Sequence, residues 1–139
     1  MSKRWGLVLM ASLLLACGEI KESCRSVETA TITLYARIDE RDFEAIHRLM
    51  TQDLQREYPL ARLEEVFGAI NDKAGTCDTP KLAGCSVHFG SSDAGAADVV
   101  SVALCDRAQL VGTLKWQLMG EQAKLTSFGF QDLIAGSGR

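Results

Sequence analysis

The alternation of apolar and polar residues changes rhythm three times along the chain. Behind Lys3 and Arg4, the stretch from Trp5 to Ala16 is apolar and carries no charge. A short polar piece follows, and from Cys24 the positions Val27, Thr31, Leu34 and Ile38 recur at steps of four, three and four, which is one face of a helix. Asp39-Glu40-Arg41-Asp42 interrupts that stripe, and Asp42 is placed to cap a second helix that buries Phe43, Ile46 and Met50. Pro59 suits the first turn of a third helix with Leu60, Leu63, Phe67 and Ile70 inside, and Gly75 is placed to close it. Beyond Gly75 the texture becomes short Val, Leu and aromatic runs between Gly, Asp and Ser clusters, the pattern of an antiparallel sheet. Strands are predicted at Gly84 to Phe89, Asp98 to Cys105, Leu110 to Leu118 and Ala123 to Phe130. Val100, Val102 and Leu104 on the second strand, and Leu110, Leu114, Trp116 and Leu118 on the third, are predicted to face the helices. Helices followed by antiparallel strands give an α+β domain with N-terminal helices on one face of a curved sheet of about four strands.

The first apolar run is short for a membrane span, which needs about 20 residues. With its basic head and small residues at the end, it has the architecture of a secretory signal. Leu14-Leu15-Ala16-Cys17 resembles the lipobox of bacterial lipoproteins, departing from the commonest form at Leu15. The resemblance implies cleavage before Cys17 and acyl chains on that residue, and two or three chains make anchoring effectively permanent. Gly18 stands where an Asp would favour inner-membrane retention, so the resemblance implies the outer membrane, facing the periplasm, in a Gram-negative host. The expected organisation is a signal peptide at 1–16, a lipidated tether at 17–23, a domain at 24–130 and a flexible tail at 131–139.

The full chain has 15 Lys and Arg against 18 Asp and Glu; without Lys3 and Arg4 the balance is 13 against 18, a net charge of −5. No basic patch stands out, which argues against nucleic acid as a partner. Cys24, Cys77, Cys85 and Cys105 form an even set in a chain that reads as exported, so two disulfides are expected. No pair has the close spacing of a zinc module. Three pairings remain open. A Cys77 to Cys85 bridge closes a short loop, worth about 2.5 kcal/mol, and a Cys24 to Cys105 bridge a long one, worth about 4.5 kcal/mol. The long bridge would pin the start of the first helix to the sheet. Cys105 falls out of phase with the predicted apolar face of its strand, and Cys85 falls in phase, which argues against Cys85 and Cys105 as partners.

Tyr35 to Met50, the helix ending at Gly75, and the strands closing on Leu118 and on Leu125 to Phe130 together resemble the nuclear-transport-factor-2-like, or cystatin-like, fold. They are similar in particular to uncharacterised bacterial envelope proteins of that superfamily. The resemblance implies a sheet wrapped around a helix as a cone, with a pocket at the wide end. Enzymes of related shape use an Asp base with Tyr or Asp donors, which singles out Tyr35, Asp39, Asp42 and His88 here. Tyr35 and Asp39 are four apart on one helix side, and Trp116 could line the same pocket. Plainer roles compete at each position. Tyr35 reads as a core-edge aromatic, Asp39 and Asp42 as a helix end and a cap, Trp116 as core packing, and His88 as a solvent-facing strand residue. His47 lies beside an apolar stripe.

There is no Gly-x-Ser-x-Gly elbow, and Gly90 to Gly95 lacks the Lys-Ser/Thr ending of a phosphate loop. No catalytic, cofactor or metal residue is assigned. Two functions follow as expectations: a lipid-anchored, non-enzymatic binding module for an envelope protein or a small apolar ligand, or a small hydrolase or isomerase using an Asp or His in the cone pocket. A pocket filled with Leu, Val and Phe would disfavour the second.

Overall fold

A computed structural model describes residues 22–89 and 95–133. The expected signal, Cys17 and most of the expected tether and tail lie outside the described residues. A helix over residues 22–40 (α1) is followed by α2 (Phe43–Arg48), α3 (Gln52–Glu57) and α4 (Leu60–Ala74). Four strands then pair in chain order: β1 (Lys81–Phe89), β2 (Gly95–Leu104), β3 (Gln109–Met119) and β4 (Gln122–Leu133). All neighbours are antiparallel, so the fold class is α+β. No helix among the described residues is long and apolar enough to cross a membrane.

The helical stripe of α1 is buried as expected, with Val27, Thr31, Leu34 and Ile38 inside. Thr31 is accommodated because its hydroxyl donates to the Val27 carbonyl one turn back. The helix already includes Glu22 and Ser23, which the sequence had assigned to the tether. At its other end Arg41 turns the chain at φ 56°, a left-handed conformation, and the Ile38 carbonyl accepts both the Arg41 N–H and the side-chain amide of Asn71. Asp42 caps α2 through the Ala45 N–H, as its position predicts.

The second helix is shorter than its stripe suggested. Met50 lies outside it, in a parallel bridge to Leu125 of β4, and Thr51 N and Leu125 N make the hydrogen bonds of that bridge. Thr51 then caps α3, an element the sequence reading lacks, by accepting from Leu54 N. Pro59 is the N-cap of α4 and does not occupy its first turn. Gly75 closes α4 at φ 79°; a Cβ there would sit 2.8 Å from Asp106 Cβ, so glycine is needed for both conformation and space.

The sheet corrects one expectation outright. The helix-facing side of β2 is Gly95, Ala97, Val99, Ser101 and Ala103, all buried, whereas Val100 is 39 % and Leu104 63 % exposed on the other side. Side-chain size decides the phase. The buried row is small, which leaves room for α1 to lie against it; a row of Val100, Val102 and Leu104 would hold the helix off. On β3 the expected row holds, with Leu110, Leu114, Trp116 and Leu118 buried. Cys105, being odd-numbered like the buried row, is in phase with it, contrary to the sequence reading.

Two bulges let the outer strands keep their apolar residues inside. Leu125 pairs with Trp116 and Ser127 with Lys115, so Thr126 is an extra residue, and the odd-numbered Leu125 and even-numbered Phe128 and Phe130 all reach the core. On β1 the register shifts between Leu82 and Gly84, which likewise puts Leu82, Cys85 and Val87 on one side. Val87 pairs with Ala97 and Cys85 with Val99, both on the buried row of β2. Phe67 of α4 packs on Phe128 and Phe130, and Tyr58 also packs on Phe128. Strand β4 also runs to Leu133, three residues past the expected end.

Two disulfides form, Cys24–Cys85 and Cys77–Cys105. Neither the local Cys77–Cys85 nor the Cys24–Cys105 pairing weighed from sequence occurs. Cys85 does pin the start of α1 to the sheet, through β1. Separations of 61 and 28 residues correspond to about 4 and about 3.5 kcal/mol of chain-entropy stabilisation. Replacing Cys24 and Cys85 together by Ser is therefore expected to lower urea stability by about 2–5 kcal/mol, and slightly more than the matching Cys77/Cys105 pair. Non-reducing mass spectrometry of either double variant should show one remaining bridge and no free thiol among Cys24, Cys77, Cys85 and Cys105.

Candidate functional site

Tyr35, the residue that most resembles a pocket donor, is held inside the fold. Its hydroxyl lies 2.8 Å from Ser101 Oγ, which in turn donates to the Gly112 carbonyl, so the Tyr35 hydroxyl supplies the proton of the first bond. Its ring meets Phe130 edge-on, with centroids 5.8 Å apart. Gly112 makes this possible: a Cβ there would come within 2.7 Å of Ser101 Oγ and 2.9 Å of both the Tyr35 hydroxyl and Phe130. Burial pushes the Tyr35 pKa up from the ordinary tyrosine value, and the Ser101 hydrogen bond offsets part of that rise. This is a neutral, satisfied, helix-to-sheet tie.

Asp39 sits one turn further on, and it faces the loop after α4. It accepts the Cys77 N–H at 3.3 Å. Burial raises its carboxyl, the Cys77 hydrogen bond lowers it, and Asp106 and Glu40 raise it further by repulsion. The same loop is bound to the β2–β3 turn: Asp106 accepts from Thr76 N, and Arg107 donates to the Asp72 and Lys73 carbonyls at the end of α4. Arg107 thereby satisfies helix-end carbonyls that would otherwise be open. Asp39 thus orders a disulfide-linked loop.

Trp116 is fully buried in the main core, and its indole Nε1–H has no acceptor among the described residues. His88 is exposed on β1, 3.5 Å from Asp98. His47 Nε2 lies 3.5 Å from the Gln55 carbonyl, and Gln55 donates back to the His47 carbonyl, so that imidazole belongs to the α2–α3 corner.

These residues do not converge. Among the described residues, Tyr35, Asp39 and Trp116 line none of three surface clefts, and the space between helices and sheet is occupied by Leu34, Leu63, Phe67, Leu114, Trp116 and Leu125. No group of three or more His, Cys, Asp or Glu is placed to hold a metal among the described residues. The clefts are instead peripheral. One of about 200 Å³ opens between α4 and the sheet over Ala69, Ile70, Leu110 and Phe130, with Lys73 and Asp132 3.9 Å apart at its rim. It escaped the sequence reading because Asp132 was assigned to the tail; the signal that points to it is Ile70, the last apolar residue of the α4 stripe. A second, of about 570 Å³, lies between Thr51, Gln52, Gln55 and the Gln117, Met119 and Lys124 side of the sheet.

Tyr35→Phe is expected to lower stability by about 0.5–1.5 kcal/mol at neutral pH. Gly112→Ala should cost more, about 1–3 kcal/mol, because three fixed groups must move. The folded Tyr35 keeps its proton beyond the pH at which the unfolded chain releases it. Its contribution is complete below the ordinary tyrosine value and is lost as pH rises from there through the raised folded value. Urea titrations at neutral and alkaline pH should therefore show a shallower alkaline decline for Tyr35→Phe than for the native chain.

Among known proteins, no family model matches the chain and no curated protein matches it significantly.

Proposed function

We propose that this protein is a lipid-anchored module of the bacterial envelope that binds a protein partner or a small apolar ligand and does no chemistry of its own. The observation that carries the reading is the order of its parts. A basic head, an uncharged run and Ala16-Cys17 lie just ahead of a domain fastened by two disulfides. Disulfides belong to oxidising compartments, and a cysteine after such a run is where acylation occurs in the lipoproteins the chain resembles. A lipid-modified Cys17 also accounts for the odd cysteine, since the other four are paired. The outer membrane, facing the periplasm, is the location in keeping with Gly18.

Binding, in preference to catalysis, is supported by the filled interior. A general base must come within hydrogen-bond reach of a substrate proton. Tyr35 and Asp39 are committed to Ser101 and to the Cys77 N–H. The cleft over Ile70, Leu110 and Phe130 has the composition of a docking site for an apolar group, with Lys73 and Asp132 at its edge to set orientation.

Cys17→Ser is expected to move the protein from the membrane to the aqueous fraction of lysed cells while its urea midpoint stays unchanged. Retention of the variant in the membrane fraction would remove the anchor. A photoreactive side chain in place of Ala69, beside the cleft, should give a discrete adduct in intact cells that the same group at exposed Ala36 does not. Identical adducts from both positions would argue against the cleft.

A further inference from the structure

The described surface leaves four large apolar side chains well exposed, and two of them, Phe89 at 57 % and Met119 at 54 %, lie at the same end of the sheet. Phe89 ends β1 and pairs with Gly95, Gly95 pairs with Leu118, and Met119 ends β3 where the chain turns into β4. The chain enters the domain at this end too. Glu22, Ser23 and Ser26 of α1 share one cleft of about 200 Å³ with Phe89, Leu118 and Glu121.

The separation between Cys17 and this end is short. Residues 18–21 are all that stand between Cys17 and Glu22, and five extended steps reach at most about 18 Å. Strand β3 has 11 residues, so the sheet is about 35 Å long from Met119 to the end carrying Leu104 and Gln109. Acyl chains on Cys17 would therefore hold the Phe89 and Met119 end within reach of the bilayer and leave the far end outside that reach.

We propose that this end of the sheet is a membrane-contacting surface, on which Phe89 and Met119 enter the headgroup region of the bilayer. The proposal rests on the lipidation of Cys17 proposed above. Its chemistry is apolar, not electrostatic. Exposed apolar side chains suit the interfacial zone, whereas the charges beside them, Glu22 and Glu121 in the cleft with Phe89 and Asp53 and Lys124 in the cleft with Met119, are predominantly acidic and give no net attraction to anionic lipid. A zwitterionic bilayer is the surface this end fits. Contact at two points besides the acyl chains fixes the orientation of the domain, with the α4 cleft facing away from the lipid.

The test uses the full acylated protein in phosphatidylcholine vesicles, with and without bromine on the acyl chains. Tryptophan is introduced as Phe89→Trp, Met119→Trp and, at the far end, Leu104→Trp. Trp116 is buried and common to all, so the native emission is subtracted. The emission added at positions 89 and 119 is expected to fall several-fold in brominated vesicles, and that at 104 to be unchanged. Vesicle-bound, acylated protein with no quenching at 89 and 119, or with equal quenching at 104, overturns the contact and leaves the anchor standing. Protein that fails to float with vesicles and shows no acyl mass on Cys17 overturns the anchor, and the contact with it.

Discussion

The attachment of α1 at three points along its length, two on the sheet and one on the loop after α4, is the constraint on which the rest of the domain depends. Cys24 is bonded to Cys85 of β1, Tyr35 is hydrogen-bonded to Ser101 of β2, and Asp39 holds the backbone of Cys77 in the loop after α4. These points span 15 residues, about 22 Å of helix. Each fixes a different degree of freedom: the covalent bond sets where the helix starts, the buried hydroxyl pair sets its rotation, and the carboxylate orders the loop against which the β2–β3 turn rests. None of the three is a large hydrophobic contact. The apolar contacts around them are non-directional and drive compaction, but they select the position of the helix less sharply.

That attachment requires a sheet surface that lets a helix come near. Strand β2 provides it by turning Ala97, Ser101 and Ala103 inward and sending Val100 and Leu104 out, and Gly112 on β3 opens the space in which the Tyr35 hydroxyl sits. The bulges on β1 and β4 complete the surface. They add one residue to each strand at the point where strict alternation would send Leu82 or Leu125 to the wrong side. The result is an interior of large side chains from α4, β3 and β4 wedged against small ones from β2, closed over by Leu34 of α1.

Periodicity made the helices legible, because α1 and α4 each bury a stripe repeated over several turns. Helix α3 escaped because six residues with Leu54 alone buried carry no period, and its one clear signal, the Thr51 cap, stands just after a residue that reads as a continuation of α2. The face of β2 was misread for a different reason. Apolar alternation marks both phases of Val99-Val100-Ser101-Val102-Ala103-Leu104, and hydrophobicity favours the one that ends outside. What decides between them is the volume left by a helix more than 60 residues away in sequence, as the 66-residue separation of Tyr35 and Ser101 shows. The cysteine pairing depended on that same face, and so could not be read. Of the candidate site, Tyr35 and Trp116 are buried and Asp39 is half-buried near the end of α1, but whether the three share a cavity is a question of packing that spacing does not answer.

The bridges also interleave. Cys77 lies inside the ring closed by Cys24 and Cys85, and Cys105 lies outside it. A single break in the backbone anywhere between Cys24 and Cys105 consequently leaves both pieces covalently joined. A protease that nicks one surface loop within that span would open the chain without shedding any part of it, and only a second cut could free a fragment. Resistance to piecemeal loss follows from the order of four sulfur atoms along the sequence and needs no additional stability.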